Sequence, residues 1–255
     1  IGRSDQFIKI KDDLNKIKKT KIKRFNLNQE QIEALNYLEK ENKKFDVSVL
    51  QGTTGSGKTL VYFERIKKIL KQNNQALVLL PEIFLTNDFK TRFEEFFGFE
   101  PAIWHSKITP KQKRIIWKGI IKNKIKLLIG ARSALLLPFK KLGIIVVDEE
   151  HDTSYKQDEG VIYNARDMAI SRANFEKIPV LLVTSIPSIE TYNNICNKKY
   201  RFTKILKRFE NFPLPKTKII NLNINKLKKK FIASETIELV KKYLKKGDQI
   251  LFFIN

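Results

Sequence analysis

The chain has 255 residues, of which 42% are hydrophobic and 30% charged, enough apolar material for one large domain or one and a half small ones. Its 50 Lys and Arg residues against 27 Asp and Glu residues give a net charge of +23, which favours a polyanionic partner such as nucleic acid, although an AT-rich genome would also enrich lysine. The single cysteine, Cys196, excludes an internal disulfide and a cysteine zinc site, and no apolar run reaches the length of a membrane span, so we expect a cytoplasmic protein with no membrane partner.

The first residues of the chain are rich in lysine and weakly patterned. We interpret residues 1–24 as a basic linker or helix from an upstream domain, with a solvated charged face. The next segment predicts a helix that begins after Asn28, a residue type that favours the N-cap position. Ile32, Leu35 and Leu38 are expected to form the buried side of this helix.

A phosphate-binding loop is predicted between an apolar strand over residues 46–50 and a helix over residues 60–70. The intervening residues match the pattern G-x-x-x-x-G-K-[ST] without a mismatch, whereas the dinucleotide pattern G-x-G-x-x-G lacks its third glycine. Backbone N–H groups and the positive end of the helix dipole would bind the phosphates of ATP. The residues expected to bind ATP are Gly52, Thr53, Thr54, Gly55, Ser56, Gly57, Lys58 and Thr59. Lys58 would act catalytically on the terminal phosphates, and the Thr59 hydroxyl would bind Mg²⁺.

Strands and helices then alternate along the chain. The predicted strands cover residues 76–80, 101–104, 126–129, 143–147 and 180–183, and the predicted helices cover residues 84–97, 110–122, 165–175 and 188–197. The strands are continuous apolar runs, which is typical of strands that are buried on both faces. We therefore predict an α/β fold with a parallel sheet sandwiched by helices, and ligands beyond the carboxyl ends of its strands.

The apolar strand over residues 143–147 leads directly into three acids and a histidine. This arrangement is typical of a Walker B strand, in which Asp148 would bind Mg²⁺ and Glu149 would activate the attacking water. An acidic turn is the alternative, but carboxylates beside an apolar layer are costly unless they are paired or bind a metal. His151 is either a turn residue or a relay between nucleotide and nucleic acid.

The pattern changes near the Pro213–Pro215 stretch. A predicted strand over residues 218–222, a helix over residues 234–244 and a strand over residues 249–254 would begin a second unit.

Four short motifs carry a resemblance to a known family. Residues 104–106 (WHS), 129–134 (IGARSA), 148–157 (DEEHDTSYKQ) and 163–169 (YNARDMA) together resemble the PriA family of superfamily 2 helicases, which restart replication. The resemblance extends over residues 25–255. It implies a RecA-like P-loop NTPase lobe over residues 25–212 and the truncated start of a second RecA-like lobe over residues 213–255.

The resemblance also implies an activity and its partners. The expected activity is ATP-dependent 3′ to 5′ unwinding of forked or single-stranded DNA, with other primosome proteins as further partners. The expected cofactors are ATP and Mg²⁺, and zinc is expected only in a cysteine-rich region beyond this chain. Because an arginine from the second lobe completes such ATPase sites, we expect this chain alone to turn over ATP slowly.

The family further assigns individual residues by their match to its motifs. Gln31 would read the adenine, Thr86 would contact the DNA strand, and Gly130, Arg132 and Ser133 would contact the DNA backbone. Arg132 has an alternative role in a surface salt bridge.

One loop after the acidic motif combines an aromatic ring with a cation. Tyr155 and Lys156 are predicted to stack on a base and to bind a phosphate, respectively, unless Tyr155 is simply packed. Ile186 departs from the family, which has a hydroxyl residue there that couples hydrolysis to DNA. Two other readings therefore stay open: a non-catalytic DNA-binding remnant of such a helicase, and an RNA helicase lobe that shares the ATP motifs.

Overall fold

The computed structural model describes residues 25–40, 45–207, 217–221, 227–229 and 232–253. The chain divides into two compact units, Ile1–Phe212 and Pro213–Asn255. The basic segment predicted over residues 1–24 and the Pro213–Pro215 stretch lie outside the described residues.

A seven-stranded sheet forms the centre of the first unit. Its strands are β1 (Val47–Gly52), β2 (Gln75–Leu79), β3 (Ala102–Trp104), β4 (Leu127–Gly130), β5 (Leu142–Asp148), β8 (Val180–Thr184) and β9 (Arg201–Ile205). They lie in the order β3-β4-β2-β5-β8-β1-β9, and every neighbouring pair is parallel. The two-residue strands β6 (Lys156–Gln157) and β7 (Tyr163–Asn164) form a separate antiparallel hairpin.

Parallel strands give the sheet two chemically different edges. The carboxyl rim is formed by the loops that follow the strands, residues 53–57, 80–86, 131–136, 149–155 and 185–188. The amino rim is formed by the loops that precede β2, β4 and β5, residues 72–74, 122–126 and 139–141. Among the predicted ATP and metal residues, Gly52 and Asp148 end strands, and residues 53–59 and Glu149 follow them, so these belong to the carboxyl rim. Gln31 lies instead in the helix that precedes β1.

Helices cover the sheet of the first unit. They are α1 (Gln29–Glu39), α2 (Lys58–Lys71), α3 (Asn87–Phe97), α4 (Pro110–Ile121), α5 (Ala165–Glu176) and α6 (Ile189–Cys196). Successive residues of β1 enter different hydrophobic cores: Leu50 packs with Phe63 and Phe93, and Val49 packs with Ile120 on the other face. Burial on both faces explains why the strands are continuous apolar runs, and it confirms the predicted α/β architecture.

The capping residues set two helix starts. Asn28 accepts from the Gln31 backbone N–H at 2.9 Å, while the Gln31 side chain accepts from the Asn28 N–H at 2.9 Å, so the predicted N-cap is confirmed as a capping box. The prediction that Ile32 is buried was wrong, because Ile32 is 39% exposed. Helix α3 begins later than predicted because the Thr86 hydroxyl caps it, accepting from the Phe89 N–H at 3.2 Å.

Strand β9 was missed because its sequence, RFTKI, interrupts the apolar run with charged and polar residues. It pairs on one side only, with β1, and its burial is partial. An edge strand tolerates such residues because half of its surface faces water.

The second unit contains the antiparallel strands β10 (Leu227–Lys229) and β11 (Ile232–Ala233), followed by helix α7 (Ser234–Leu244). Helix α7 has the bounds that the sequence predicts. The strands predicted over residues 218–222 and 249–254 are not formed in their described parts, residues 218–221 and 249–253. A strand needs a hydrogen-bonded neighbour, and neither segment has one among the described residues.

Candidate nucleotide and nucleic-acid site

The P-loop joins the end of β1 to the start of α2 through two glycines with a left-handed backbone. Gly55 and Gly57 have φ values of +82° and +80°, which glycine adopts without a steric penalty. A Cβ atom at Gly52 would lie 2.5 Å from the Ser56 Oγ. This loop therefore wraps more tightly than residues with side chains would allow.

Two hydroxyls of the P-loop have no protein partner. Among the described residues, the buried Thr53 Oγ1 and Ser56 Oγ accept and donate no hydrogen bond. Buried polar atoms are nearly always satisfied, so unpaired hydroxyls inside a ring of backbone N–H groups fit an anionic ligand. Thr54 and Gly55 are exposed, and Thr59 is partly exposed in the first turn of α2. The residues that are present thus suit a phosphate chain.

Lys58 is the first residue of α2 and is 8% exposed. Its ammonium donates to the Gly52 carbonyl at 2.7 Å and to the Thr53 carbonyl at 3.4 Å. Burial lowers the pKa of Lys58, while the charges of Glu149 and Asp148 act in the opposite direction. The acids at the end of β5 are therefore close enough to Lys58 to influence its pKa.

Gln31, in helix α1, supports the P-loop through a side-chain hydrogen bond. Its side chain is fully buried, and its Nε2 donates to the Ser56 carbonyl at 2.9 Å while its Oε1 is held by the capping box. The contact between Gln31 and adenine stays a prediction, and in this arrangement both ends of the amide are engaged within the protein. Sequence reasoning missed this supporting role.

Asp148 is the last residue of β5 and is 7% exposed. The Tyr62 hydroxyl donates to its Oδ2 at 2.9 Å, and the Glu149 N–H donates to its Oδ1 at 3.0 Å. Burial and then the charge of Glu149 raise the pKa of Asp148 to about 6, against the opposing effects of Tyr62 and Lys58. Such a carboxylate gains most from a cation placed beside it.

Tyr62 was not predicted as a site residue. It lies one turn after Lys58 on α2, so the i, i+4 spacing directs both side chains towards the same side of the helix. Its ring is fully buried, and its pKa is raised well above the ordinary value by burial and by Asp148. The spacing to Lys58 was the signal that could have identified it.

Glu149 has a left-handed backbone with φ of +49°, which is uncommon for a residue with a side chain. Its carboxylate lies 3.7 Å from the His151 Nδ1. The His151 Nδ1 is also 2.7 Å from the Thr184 Oγ1, whose hydroxyl donates to the Ile186 carbonyl at 2.7 Å. Because the Thr184 proton is used there, the His151 Nδ1 must carry the proton that it shares with Thr184.

His151 therefore connects the acidic turn to residues 184–186, which include the departure at Ile186. Ile186 itself is 70% exposed. The hydroxyl that meets the histidine is supplied by Thr184, two residues earlier. The absence of a hydroxyl at residue 186 thus leaves this particular contact intact.

Glu150 forms a buried network that the sequence did not indicate. Its carboxylate is fully buried and lies 3.3 Å from the Arg166 guanidinium. It also accepts from the Ser188 N–H at 2.8 Å, the Ser188 hydroxyl at 3.0 Å and the Thr191 hydroxyl at 2.9 Å. The network joins the end of β5 to the starts of α5 and α6.

A cavity of about 230 Å³ lies on the carboxyl rim, between the loops that follow β2, β4 and β5, and two of the residues predicted to contact DNA, Arg132 and Tyr155, line it. Arg132 lines this cavity, and its guanidinium donates to the Lys156 carbonyl at 2.5 Å. The Ser133 hydroxyl accepts from the Trp104 indole at 3.1 Å. Gly130 is required by close packing, since a Cβ there would lie 2.5 Å from the Ala134 Cβ.

The remaining predicted DNA residues differ in their exposure. Thr86 is exposed and caps α3, and Lys156 is exposed and pairs with Asp158 at 3.0 Å. Tyr155 contradicts its predicted role, because its ring is 1% exposed within the hydrophobic core and has no free face for a base. Its hydroxyl instead donates to the Leu79 and Asp148 carbonyls at 2.9 and 2.5 Å.

The described residues contain no cluster of three or more His, Cys, Asp or Glu side chains that could hold a metal ion. None of the helices in the described part of the chain is both long enough and apolar enough to cross a bilayer.

Comparison with known proteins assigns the chain to a family. Residues 28–195 match the DEAD/DEAH box helicase family. Because this match spans most of the chain and includes both the P-loop and the acidic motif, the protein belongs to the DEAD/DEAH box helicase family.

Curated relatives narrow the assignment. The chain is 46% identical over 230 residues to the replication restart protein PriA of Rickettsia felis, 39% over 232 residues to that of Haemophilus influenzae and 34% over 217 residues to that of Bacillus subtilis. These alignments cover 90%, 91% and 84% of this chain but 35%, 32% and 27% of the relatives. The chain is thus a PriA homologue, and it spans about a third of the length of the relatives it matches.

Solved structures agree on the fold. The helicase MrfA bound to DNA and AMPPNP is similar with a TM-score of 0.55, at 21% identity over 86% of this chain and 32% of that one. RecG bound to a three-way DNA junction is similar with a TM-score of 0.54, at 19% identity over 94% of this chain and 30% of that one. The seven-stranded parallel sheet with its helices is therefore a RecA-like helicase lobe.

Proposed function

We propose that the chain is the ATP-binding motor lobe of a replication-restart DNA helicase. It would bind Mg-ATP on the carboxyl rim and couple the state of that nucleotide to DNA held on the same rim. Residues 213–255 would begin a second RecA-like lobe. Movement from 3′ to 5′ and a preference for forked DNA are part of this proposal and follow from the family alone.

The observation that carries the proposal is the proximity of Lys58 and Asp148 in the fold. Ninety residues separate them in the chain, yet the charge of Asp148 acts on Lys58, and Tyr62 on the same helix donates to Asp148. Thr59 and Asp148 would hold Mg²⁺, which supplies neutralisation of the phosphate charge. Lys58 would bind the terminal phosphates, and Glu149 would orient and deprotonate the attacking water.

The nucleic-acid part of the proposal is supported by the neighbouring cavity. Arg132 and Ser154 line it with a guanidinium and a hydroxyl, groups that bind phosphate oxygens, and Glu82 is the one acid among its described lining residues. Thr86 and Ser133 belong to two of the loops that form the cavity. Tyr155 connects both halves of the site, since it is among the residues that line this cavity and its hydroxyl donates to the Asp148 carbonyl. A shift of the loop after β5 would therefore be felt at both sites.

Nucleotide-dependent thermal stabilisation tests the proposal. At a hundred times its dissociation constant, Mg-ATP should add about 2.7 kcal/mol to the free energy of unfolding. Lys58→Ala should lose this stabilisation because the phosphates lose their cation, and Lys71→Ala, at the exposed end of the same helix, should keep it. Glu149→Gln should also keep it, since the residue acts on water rather than on binding.

Equal nucleotide affinity of wild type and Lys58→Ala in a calorimetric titration would contradict the proposal. Competition between forked DNA and duplex RNA in the same experiment distinguishes a DNA helicase from an RNA helicase lobe. Binding of RNA in preference to DNA would reassign the substrate while leaving the ATP site in place.

A further inference from the structure

The segment between Glu100 and Asp148 contains eleven Lys and Arg residues and no Asp or Glu. Elsewhere in the first unit, lysines pair with nearby acids, as Lys67 does with Glu64 at 3.2 Å. The lysine-rich composition of the chain accounts for the number of lysines in this segment, but not for the absence of acids. The charged side chains of the segment are therefore all positive, and Glu82, from the loop after β2, is an acid that contacts the segment, at the Ser106 N–H and hydroxyl.

Helix α4 carries four of these cations along one face. Lys111, Arg114, Lys118 and Lys122 are spaced by three, four and four residues, and all four are exposed. Lys122 directly follows the helix as its C-cap. At 100° and 1.5 Å per residue, the four positions lie within an arc of about 80° along about 16 Å of the helix. They form a straight row of positive charge.

The direction of α4 places one end of this row beside the candidate DNA cavity. The helix follows β3 and precedes β4, and these neighbouring strands are parallel, so α4 runs back from the carboxyl rim to the amino rim. At the carboxyl rim, the Lys113 ammonium lies 6.0 Å from the Trp104 ring, whose indole donates to Ser133. Ser133 is next to Arg132, which lines the cavity.

The other end of the row meets a second group of cations on the amino rim. This group consists of Lys124, Lys126, Lys140 and Lys141. The buried Gln75 ties the two turns together: its Nε2 donates to the Ile120 and Ile125 carbonyls at 3.1 and 2.7 Å, and its Oε1 accepts from the N–H groups of Lys140 and Lys141, both at 2.9 Å. One buried side chain thus fixes the positions of both lysine-bearing turns.

The lysines of the amino rim influence one another. Burial and then the charge of Lys141 lower the pKa of Lys126. An anion above these two residues would relieve their repulsion.

We propose that these residues form a basic track that binds the phosphodiester backbone of nucleic acid leaving the carboxyl rim. The basic track is defined as Lys111, Arg114, Lys118 and Lys122 together with Lys124, Lys126, Lys140 and Lys141. Continuity with the candidate DNA cavity and the absence of acids within residues 101–147 favour nucleic acid over an acidic protein, since protein–DNA interfaces are much more positively charged than protein–protein interfaces. The inference rests on the proposed DNA-binding function, and it adds a contact surface that extends to the opposite rim.

The salt dependence of DNA affinity tests the basic track. Each phosphate contact contributes about 0.9 to the slope of log Kobs against log salt for duplex DNA and about 0.7 for a single strand. The variant Lys111→Gln/Arg114→Gln/Lys118→Gln/Lys122→Gln should lower that slope by about 2 to 4. A matched control, Lys241→Gln/Lys242→Gln/Lys245→Gln/Lys246→Gln, removes the same charge from exposed positions of the second unit and should leave the slope within about 0.5 of wild type.

Fluorescence anisotropy with a blunt duplex and with oligo(dT) gives the slope for each form of DNA, and the larger loss identifies which form follows the track. Equal slopes for the track and control variants would overturn the inference while leaving the proposed function in place. Failure of the wild-type chain to bind either DNA would instead remove the proposed function, and the inference with it. A track variant that loses affinity for poly-glutamate but keeps its DNA slope would assign the surface to an acidic protein and overturn the inference.

Discussion

At the scale of single residues, the site depends on a carboxylate that is unfavourable without a cation. Asp148 is buried at the end of β5, and its pKa is raised to about 6 by burial and by Glu149. Tyr62 offsets part of this cost with a hydrogen bond. The protein therefore keeps a destabilising charge where the proposed metal would bind, as binding sites commonly do.

Asp148→Asn should stabilise the nucleotide-free protein at neutral pH. A carboxyl whose folded pKa lies above its unfolded value of 3.8 destabilises the fold increasingly as pH rises from about 4 to about 6. The variant should therefore unfold at a higher temperature than wild type at pH 7.5, with a free energy of unfolding larger by up to about 3 kcal/mol, and this advantage should vanish near pH 4. Thermal melts across this range measure the difference.

The same variant should lose stabilisation by Mg-ATP, which separates the proposed metal role from a purely structural one. Lys71→Ala, at the exposed end of α2, is a suitable control because it leaves the P-loop and the Asp148 environment unchanged. An advantage for Asp148→Asn that does not change with pH would contradict this account of the carboxylate.

At the scale of elements, the Glu150 network fixes the acidic turn against two helices. Glu150 is held by Arg166 from α5 and by Ser188 and Thr191 at the start of α6. Glu149, with its left-handed backbone, lies between this anchor and Asp148. The anchor is therefore well placed to maintain the unusual conformation of the proposed catalytic turn.

Arg166→Met should destabilise the first unit by about 3 kcal/mol, because it leaves the buried Glu150 carboxylate without its cation. Lys177→Met, exposed at the end of the same helix, should change the free energy of unfolding by less than about 0.5 kcal/mol. Urea unfolding measures both effects.

The double variant Glu150→Gln/Arg166→Met should recover part of the loss, since the unpaired charge is removed with its partner. Additive losses in this double-mutant cycle would show that the two residues act independently.

At the scale of the whole molecule, local patterns predicted the sheet and the ends of its strands, but not the contacts between distant segments. The P-loop and the acids after β5 could be identified because each lies within about ten residues of chain. The Glu150 network could not, because its members come from three segments whose proximity only the fold determines. The same limit applies to Tyr155: the sequence left base stacking and simple packing both open, and the fold places its ring in the core.

The division of the chain also yields a prediction. A chain that ends at Phe212 should fold and retain stabilisation by Mg-ATP, because both hydrophobic cores described for the sheet consist of residues of the first unit. Circular dichroism and thermal melts with nucleotide measure this. Loss of cooperative unfolding in the shortened chain would show that the second unit is required for the fold of the first.

Gln31 stabilises two elements with one side chain. Its amide closes the cap of α1 and holds the Ser56 carbonyl of the P-loop, so helix start and phosphate loop share one group. Replacing Gln31 would disturb the helix cap and the P-loop contact at once. Evolutionary change at the start of α1 is therefore coupled to the loop that we propose binds the phosphates of ATP.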